Sequence, residues 1–452
     1  VNPLQRDDGV AAVTAGLSAG LGGSALAESG LQMPPVYRQV RWRILAMLFC
    51  VTMINFVDRQ TLSVTAPKLR ELFSLSNTQY GIIVAAFQMG MVVGEFPMGW
   101  LMDRRGTRNG LTFAVVWWSL ANAMHAVANS VLHFSLFRFW LGTGECGNFS
   151  GGNKAVAQWF PARERAFAVG IFNSASMIGS AVAPFLIVPL MHWYGWRVAF
   201  LVPSLMGMIW AVVWYVYYRA PEDHKTLTPA EAAYIRDGAP VETGPVLTNA
   251  QLLRLWPTWG LMLCRLLVGP VVQFYIYWMP EYLYRARGFS LTEIAFFAWI
   301  PFLFGDLGSI GGGWASGYLI RRGYSVRAAR ILTMGAGATL CFLSLAVVLV
   351  KTVPVALVAI CCVLFGHTAL SANMFAAVSD LFPSSAVARV TGLTGIASGI
   401  SGMIFPLLTG LLVDRVSYVP VFAMASLMPA AGLLILVAFA GQFKQIPTRV
   451  TS

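Results

Sequence analysis

Apolar residues run in long blocks along this chain instead of alternating with polar ones. The blocks span roughly 44–66, 79–102, 110–128, 131–157, 165–191, 197–218, 256–284, 292–320, 328–350, 353–379, 387–413 and 419–440, and each is long enough to cross the hydrocarbon core as a helix. Short polar turns separate them. One longer polar segment, 219–255, divides the series into six blocks and six. The pattern predicts an all-α integral membrane protein with twelve transmembrane helices, the lipid bilayer being its first partner.

Composition agrees. The 452 residues are 57% hydrophobic and 11% charged, against about 25% charged in soluble domains, and the mean hydropathy is +0.66. A soluble fold would need far more polar surface.

The net charge of +12 would suit nucleic acid if it were clustered, but its distribution gives another reading. Lys and Arg assigned alternately to the two sides of twelve helices fall mostly on one side: Arg38, Arg41, Arg43, Arg104, Arg105, Arg108, Arg163, Arg165, the 219–255 segment, Arg321, Arg322, Arg327, Arg330 and Arg389. The other side holds Lys68, Arg70, Arg197, Arg285, Arg287, Lys351 and Arg415. This is the positive-inside bias. It places both termini in the cytoplasm and removes the need for a nucleic-acid partner.

The expected layout is a disordered cytoplasmic arm (1–40), a six-helix half (41–218), a cytoplasmic linker (219–255), a second six-helix half (256–440) and a cytoplasmic tail (441–452). The six cysteines all lie within predicted spans and lack zinc-site spacing. No metal or cofactor is expected.

The two halves repeat. Phe73-Ser74-Leu75 recurs as Phe289-Ser290-Leu291, and Pro67 is matched by Pro280. Leu101–Gly106 (LMDRRG) returns weakly as Tyr318–Gly323 (YLIRRG). Trp159-Phe160-Pro161 returns as Leu381-Phe382-Pro383, each followed nine residues on by a glycine, Gly170 or Gly392. The order is conserved within the chain and the offset runs from 213 to 222. Duplicated halves around a midplane site are transporter architecture, with access alternating as the halves rock.

Here a resemblance enters. Gly99–Arg108 (GWLMDRRGTR) resembles the G-x3-D-R-x-G-x-R loop between helices 2 and 3 of the major facilitator superfamily. NFVDR in the first span, RFWLGTGE in the fourth and WFPARERAFAVG entering the fifth are similar to the anion:cation symporters of that superfamily. Phe296–Gly313 and Gly366–Phe382 look most like bacterial hexuronate transporters. The resemblance covers about 40–440. It implies the pseudo-symmetric major facilitator fold, residence in the bacterial inner membrane, a monomer, and proton-driven symport of a small organic anion.

Ions inside a bilayer are costly, by about 2.5–3.5 kcal/mol each at a helix centre, so each asks for a reason. Asp58 and Arg59 point about 100° apart on a helix, while Asn55 and Arg59 share a face. They either tie helices together or divide a task. Arg59 has the fork that grips a carboxylate, and Asp58 can carry a proton, which is what the resemblance implies.

Arg138 and Glu145 lie two turns apart on one face among Gly142, Gly144 and Gly147. They read either as a permanent ion pair or as a titrating couple, and the family gives its matching Glu a proton role. Glu95 stands where many relatives carry Gln, as a protonated stand-in or a second proton site. Met91 stands where several carry Tyr.

Arg265 and Asp306 read as a cross-helix salt bridge, or Arg265 as a second anion contact. His367, Ser371 and Asn373, with Asn173 and Gln273 behind them, are candidates for sugar hydroxyls. Asp103, Arg104 and Arg108 read as a gate at the cytoplasmic junction.

Two rival classes remain beside the hexuronate importer. One is a transporter of another carboxylate (aldonate, aldarate or aromatic acid), or a metabolite or drug exporter of the same fold. Exporters often carry a Gly-Pro motif in the fifth span, and Gly179–Pro184 (GSAVAP) is a loose version at best. The other is a membrane enzyme, for which the chain offers no H-E-x-x-H pair and no soluble catalytic domain.

Overall fold

The computed structural model describes residues 39–236 and 247–441, so the 1–38 arm, part of the linker and most of the tail lie outside the described residues. In the first half the helices are α1 (Val40–Phe73), α2 (Asn77–Met124), α3 (Val131–Trp159), α4 (Ala162–Tyr194) and α5 (Trp196–Tyr217). The linker contributes α6 (Pro229–Arg236) and α7 (Asn249–Leu252). The second half holds α8 (Trp256–Arg287), α9 (Leu291–Phe297), α10 (Ile300–Arg321), α11 (Val326–Cys341), α12 (Leu343–Leu349), α13 (Val353–Leu381), α14 (Ser384–Arg415) and α15 (Val419–Ala440).

Ten helical stretches among the described residues are long and apolar enough to cross a membrane. One of them, 77–127, makes two crossings. Gly106, at φ 75° and ψ 164°, reverses the chain inside α2, a conformation that a side chain would strain. The remaining crossing is α3. At 29 residues it is long enough, but it carries Arg138, Glu145 and Lys154 among glycines. With α9–α10 and α11–α12 each forming one crossing, the passes number twelve among the described residues.

The repeat has a physical basis at its turns. Ser74 ends α1 in the left-handed region (φ 51°) and Gly288 ends α8 the same way (φ 70°). Ser76 then caps α2 in a box with Gln79, and Ser290 caps α9 in a box with Glu293. These pairs are all 214 residues apart. The aligned serines Ser74 and Ser290 therefore do different work, one ending a helix and the other starting one. Pro161 and Pro383 likewise stand at the N-caps of α4 and α14.

Within the halves α2 packs on α3 and α1 on α4, as α10 packs on α13 and α8 on α14 and α15. Across them α14 meets α2, α8 meets α1, and α4 meets α9 and α10. The linker is fastened to both halves. Glu231, fully buried in α6, accepts from the backbone N–H of Val40 and Arg41 (3.1 and 3.0 Å) and so caps α1. Arg389 donates to the carbonyl of Leu247 (2.8 Å).

The described hydrogen bonds that join the halves directly lie toward the end where α1 turns into α2. Arg70 pairs with Glu281, which also holds Arg285 (2.6 Å). Asp414 accepts from Asn77 and Thr78 (2.6–3.0 Å). Tyr284 donates to Glu71 (2.9 Å), and Tyr80 to the carbonyl of Tyr277 (2.8 Å). This hairpin end is sealed. At the opposite, linker end the described charged contacts stay within a half, and there the bundle opens.

Candidate functional site

Close approach of α2 and α3 builds the first part of the site. A Cβ on Gly142 would fall on the backbone of Phe87 and Met91, and one on Gly90 would fall on that of Phe139. Only glycine lets the two backbones touch there. The approach brings Phe87 and Met91 of α2 beside Glu145 of α3, facing α1.

Arg59 reaches into this corner. Its Nε donates to Glu145 Oε2 at 2.6 Å, and Nη2 lies 3.8 Å from Met91 Sδ. Its guanidinium sits over the rings of Phe56 (4.5 Å) and Phe87 (5.4 Å). Glu145 is fully buried and Arg59 nearly so. Arg138 is buried beside them over Phe87 (5.8 Å), with Nε and Nη2 lacking hydrogen-bond partners. Asn55 is also buried here. Glu145's near partner is thus Arg59; no ion pair joins it to Arg138 among the described residues.

Asp58 takes the other face of α1. It accepts from Asn122 Nδ2 at 2.7 Å, and Asn122 in turn bonds Ser204 Oγ and the Phe200 carbonyl. Its second oxygen is buried without a partner. Asp58 and Arg59 do not pair, as their 100° separation requires. Asn122, a lone amide in an apolar run of α2, was the legible signal for this partner.

The second part is a cavity of about 880 Å³ between α4 of the first half and α8, α10 and α13 of the second. Asn173, Arg265, Asp306, His367 and Ser371 all line it. The expected Arg265–Asp306 salt bridge is not formed. Arg265 instead lies over the Phe375 ring at 4.6 Å, with its buried Nε unpartnered. Stacking on an aromatic face desolvates one side of the guanidinium and leaves its edge free for an anion.

His367 bonds the Val268 carbonyl through Nε2 (2.9 Å), leaving Nδ1 without a partner. Ser371 Oγ is unpartnered. Asn373 corrects the sequence reading. It is fully buried between the Gly312 and Ala369 carbonyls (3.0 and 2.9 Å) and accepts from Arg330 (3.1 Å), so it clamps α13 to α10 and α11 away from the cavity. Gln273 lies against Gly402 outside the cavity wall.

Glu95 is exposed, one turn along α2 from Met91 toward the linker end, without an ion pair or side-chain hydrogen bond among the described residues. The gate residues separate. Asp103 pairs with Lys154 (2.7 Å), a partner the motif alone did not reveal. Arg104 lies over Trp100 (5.1 Å). Arg108 donates to the Tyr215 carbonyl (2.8 Å) near the end of α5.

Two repeated halves, an interface that seals at one end, a buried Arg–Glu contact within the first half and a cavity between the halves describe a transporter. The family model described as Major Facilitator Superfamily matches residues 48–406. The chain belongs to the major facilitator superfamily. It is a multi-pass membrane transporter, and not an enzyme.

Among curated relatives, the chain is 33% identical over 403 residues to a hexuronate transporter of Escherichia coli (strain K12), covering 88% of this chain and 93% of that protein. It is 30% identical over 398 residues to a probable galactarate/D-glucarate transporter of Bacillus subtilis (strain 168), covering 83% and 86%. A solved D-xylose–proton symporter superposes with TM-score 0.72 over 90% of this chain and 99% of that one, at 15% identity, a likeness of fold.

Proposed function

We propose that this major facilitator protein is a proton-coupled importer of a sugar acid, a hexuronate such as glucuronate or galacturonate, working as a monomer in the bacterial inner membrane. The observation that carries the reading is the buried Arg59–Glu145 contact at 2.6 Å. A substrate carboxylate can take the same guanidinium edge. When it does, Glu145 loses its cation in a low-dielectric corner, where an unpaired carboxylate is too costly to stay ionised. Glu145 then takes a proton. Binding of anion and proton thus become mutually favourable, which is the thermodynamic core of symport.

The charge bias makes the linker end cytoplasmic. Substrate enters when the hairpin end is open and releases the halves' bonds there. In the linker-open arrangement Arg70–Glu281 and the Asp414 contacts re-form, and Arg59 regains Glu145 as proton and anion leave. Asp58, with one oxygen free, is a second proton carrier linked to the same helix. Asp103, Arg104 and Arg108 act at the linker end as the gate, exchanging contacts as it closes. The proton gradient supplies the drive, with no cofactor.

The test is uptake of labelled glucuronate and galacturonate into proteoliposomes with an acidic outside, beside Arg59→Ala. Gradient-dependent uptake that the variant lacks supports the reading. Folded protein that takes up neither acid refutes it, and aldonates would then be the next class, since an aldonate needs the same carboxylate grip.

A further inference from the structure

The cavity wall carries one cation and one anion that do not neutralise each other. Arg265 comes from α8 and Asp306 from α10; both line the 880 Å³ space, and no ion pair joins them. Among the described residues Arg265 meets the Phe375 ring at 4.6 Å and no ion-pair partner. Asp306 has no hydrogen-bond partner among the described residues, and apart from Arg265 and His367 the polar side chains in the cavity wall with it are amides and hydroxyls, among them Asn173, Ser309 and Ser371.

We propose that Asp306 is a specificity residue that restricts the substrate to sugar acids with a single carboxylate. This rests on the sugar-acid reading above and narrows it. A carboxylate in a cavity accepts hydroxyl hydrogens well, and a charged acceptor makes the stronger bond. It repels a second carboxylate in the same low-dielectric space, where like charges cost most. A uronate offers one carboxylate and otherwise hydroxyls, so it finds a partner for each group. An aldarate with the same carbon skeleton adds a second anion. With the first carboxylate on Arg59, the cavity wall offers the second one Arg265, and Asp306 in the same wall opposes it. The relatives include transporters named for both kinds of acid, so the choice lies within the chemistry of this fold.

The experiment uses galacturonate and galactarate, which share stereochemistry and differ at one terminal carbon. Each competes against labelled galacturonate bound to the purified full chain at neutral pH without a gradient. The expected result is that galactarate needs at least tenfold higher concentration, and that Asp306→Asn narrows the gap while Asp306→Glu keeps it. Equal competition by the two acids in the wild-type chain overturns the inference and leaves the sugar-acid reading intact. So does an Asp306→Asn chain that binds galacturonate with the wild-type ratio. Absence of any galacturonate binding to folded wild-type protein overturns the reading and the inference together. Because the wild-type comparison stands alone, a variant that fails to fold does not shelter the proposal.

Discussion

Glu145→Gln separates binding from coupling. On the proposed function an incoming carboxylate displaces Glu145 from Arg59, a charge-assisted contact of 2.6 Å with both groups shielded. Such hydrogen bonds contribute about 1.5–3 kcal/mol. The glutamine is a weaker competitor for the guanidinium, so most of that cost disappears. At 1.4 kcal/mol per tenfold, substrate affinity should rise about 10- to 100-fold.

The pH response should change as well. Where anion binding draws a proton onto Glu145, affinity rises as pH falls, by up to about tenfold per pH unit for one linked proton. Glutamine cannot take that proton. Equilibrium binding of labelled galacturonate to purified protein between pH 5.5 and 8 should therefore be tighter and flatter in the variant, while concentrative uptake driven by a pH gradient is lost. A variant with unchanged affinity and the wild-type pH slope would refute the competition for Arg59.

Arg59→Lys keeps the charge and loses the planar fork, so gradient-driven uptake should fall about tenfold or more. Glu281→Gln removes the shared anchor of Arg70 and Arg285 at the hairpin end. Breaking a buried pair costs about 3–5 kcal/mol, enough to shift a two-state equilibrium about 100-fold. Spin labels at the exposed positions Leu72 and Val416 should then report a longer distance, and an unchanged distance would argue against a lock there. Gly142→Val puts a side chain onto the α2 backbone and should abolish the folded monodisperse peak, while Gly313→Ala, whose Cβ meets nothing within 4 Å, should leave melting unchanged.

Much of this was legible because the bilayer makes the sequence speak plainly. Twelve apolar blocks and a repeated pair of helix turns specify the passes before any packing is known. Arg59 and Glu145 were legible as costly charges in apolar runs, and their meeting follows from the glycines that let α2 and α3 close. What sequence could not give was direction. Periodicity placed Asn373 within two turns of His367 and Ser371, yet it turns to the Gly312 carbonyl because a buried amide takes the nearest free acceptor. Arg265 and Asp306 are opposite charges lining one cavity, but Phe375 holds the arginine. A stacked guanidinium satisfies its dispersion needs without an acid, and no spacing rule reveals which aromatic ring will be beneath it.

The two ends of the bundle explain why one arrangement is stable and still reversible. At the hairpin end polar groups pair across the halves: the charges of Arg70 and Glu281, and Asp414 with the N–H groups that open α2. At the linker end each half satisfies its own acids, Asp103 through Lys154 and Asp380 through Arg330 (2.9 Å). That leaves Arg104, Arg105, Arg321 and Arg322 exposed on both sides of the opening. Closing this end brings like charges together, a cost that only exchanged acid partners can offset. Asp103 and Asp380 are paired acids at that end. The sealed end is thus held by attraction and the open end by the absence of it, so a substrate that loosens α1 through Arg59 acts on the helix that carries Arg70 as well. On the proposed function one helix joins the anion site to the lock, a shared backbone through which binding would bias the halves.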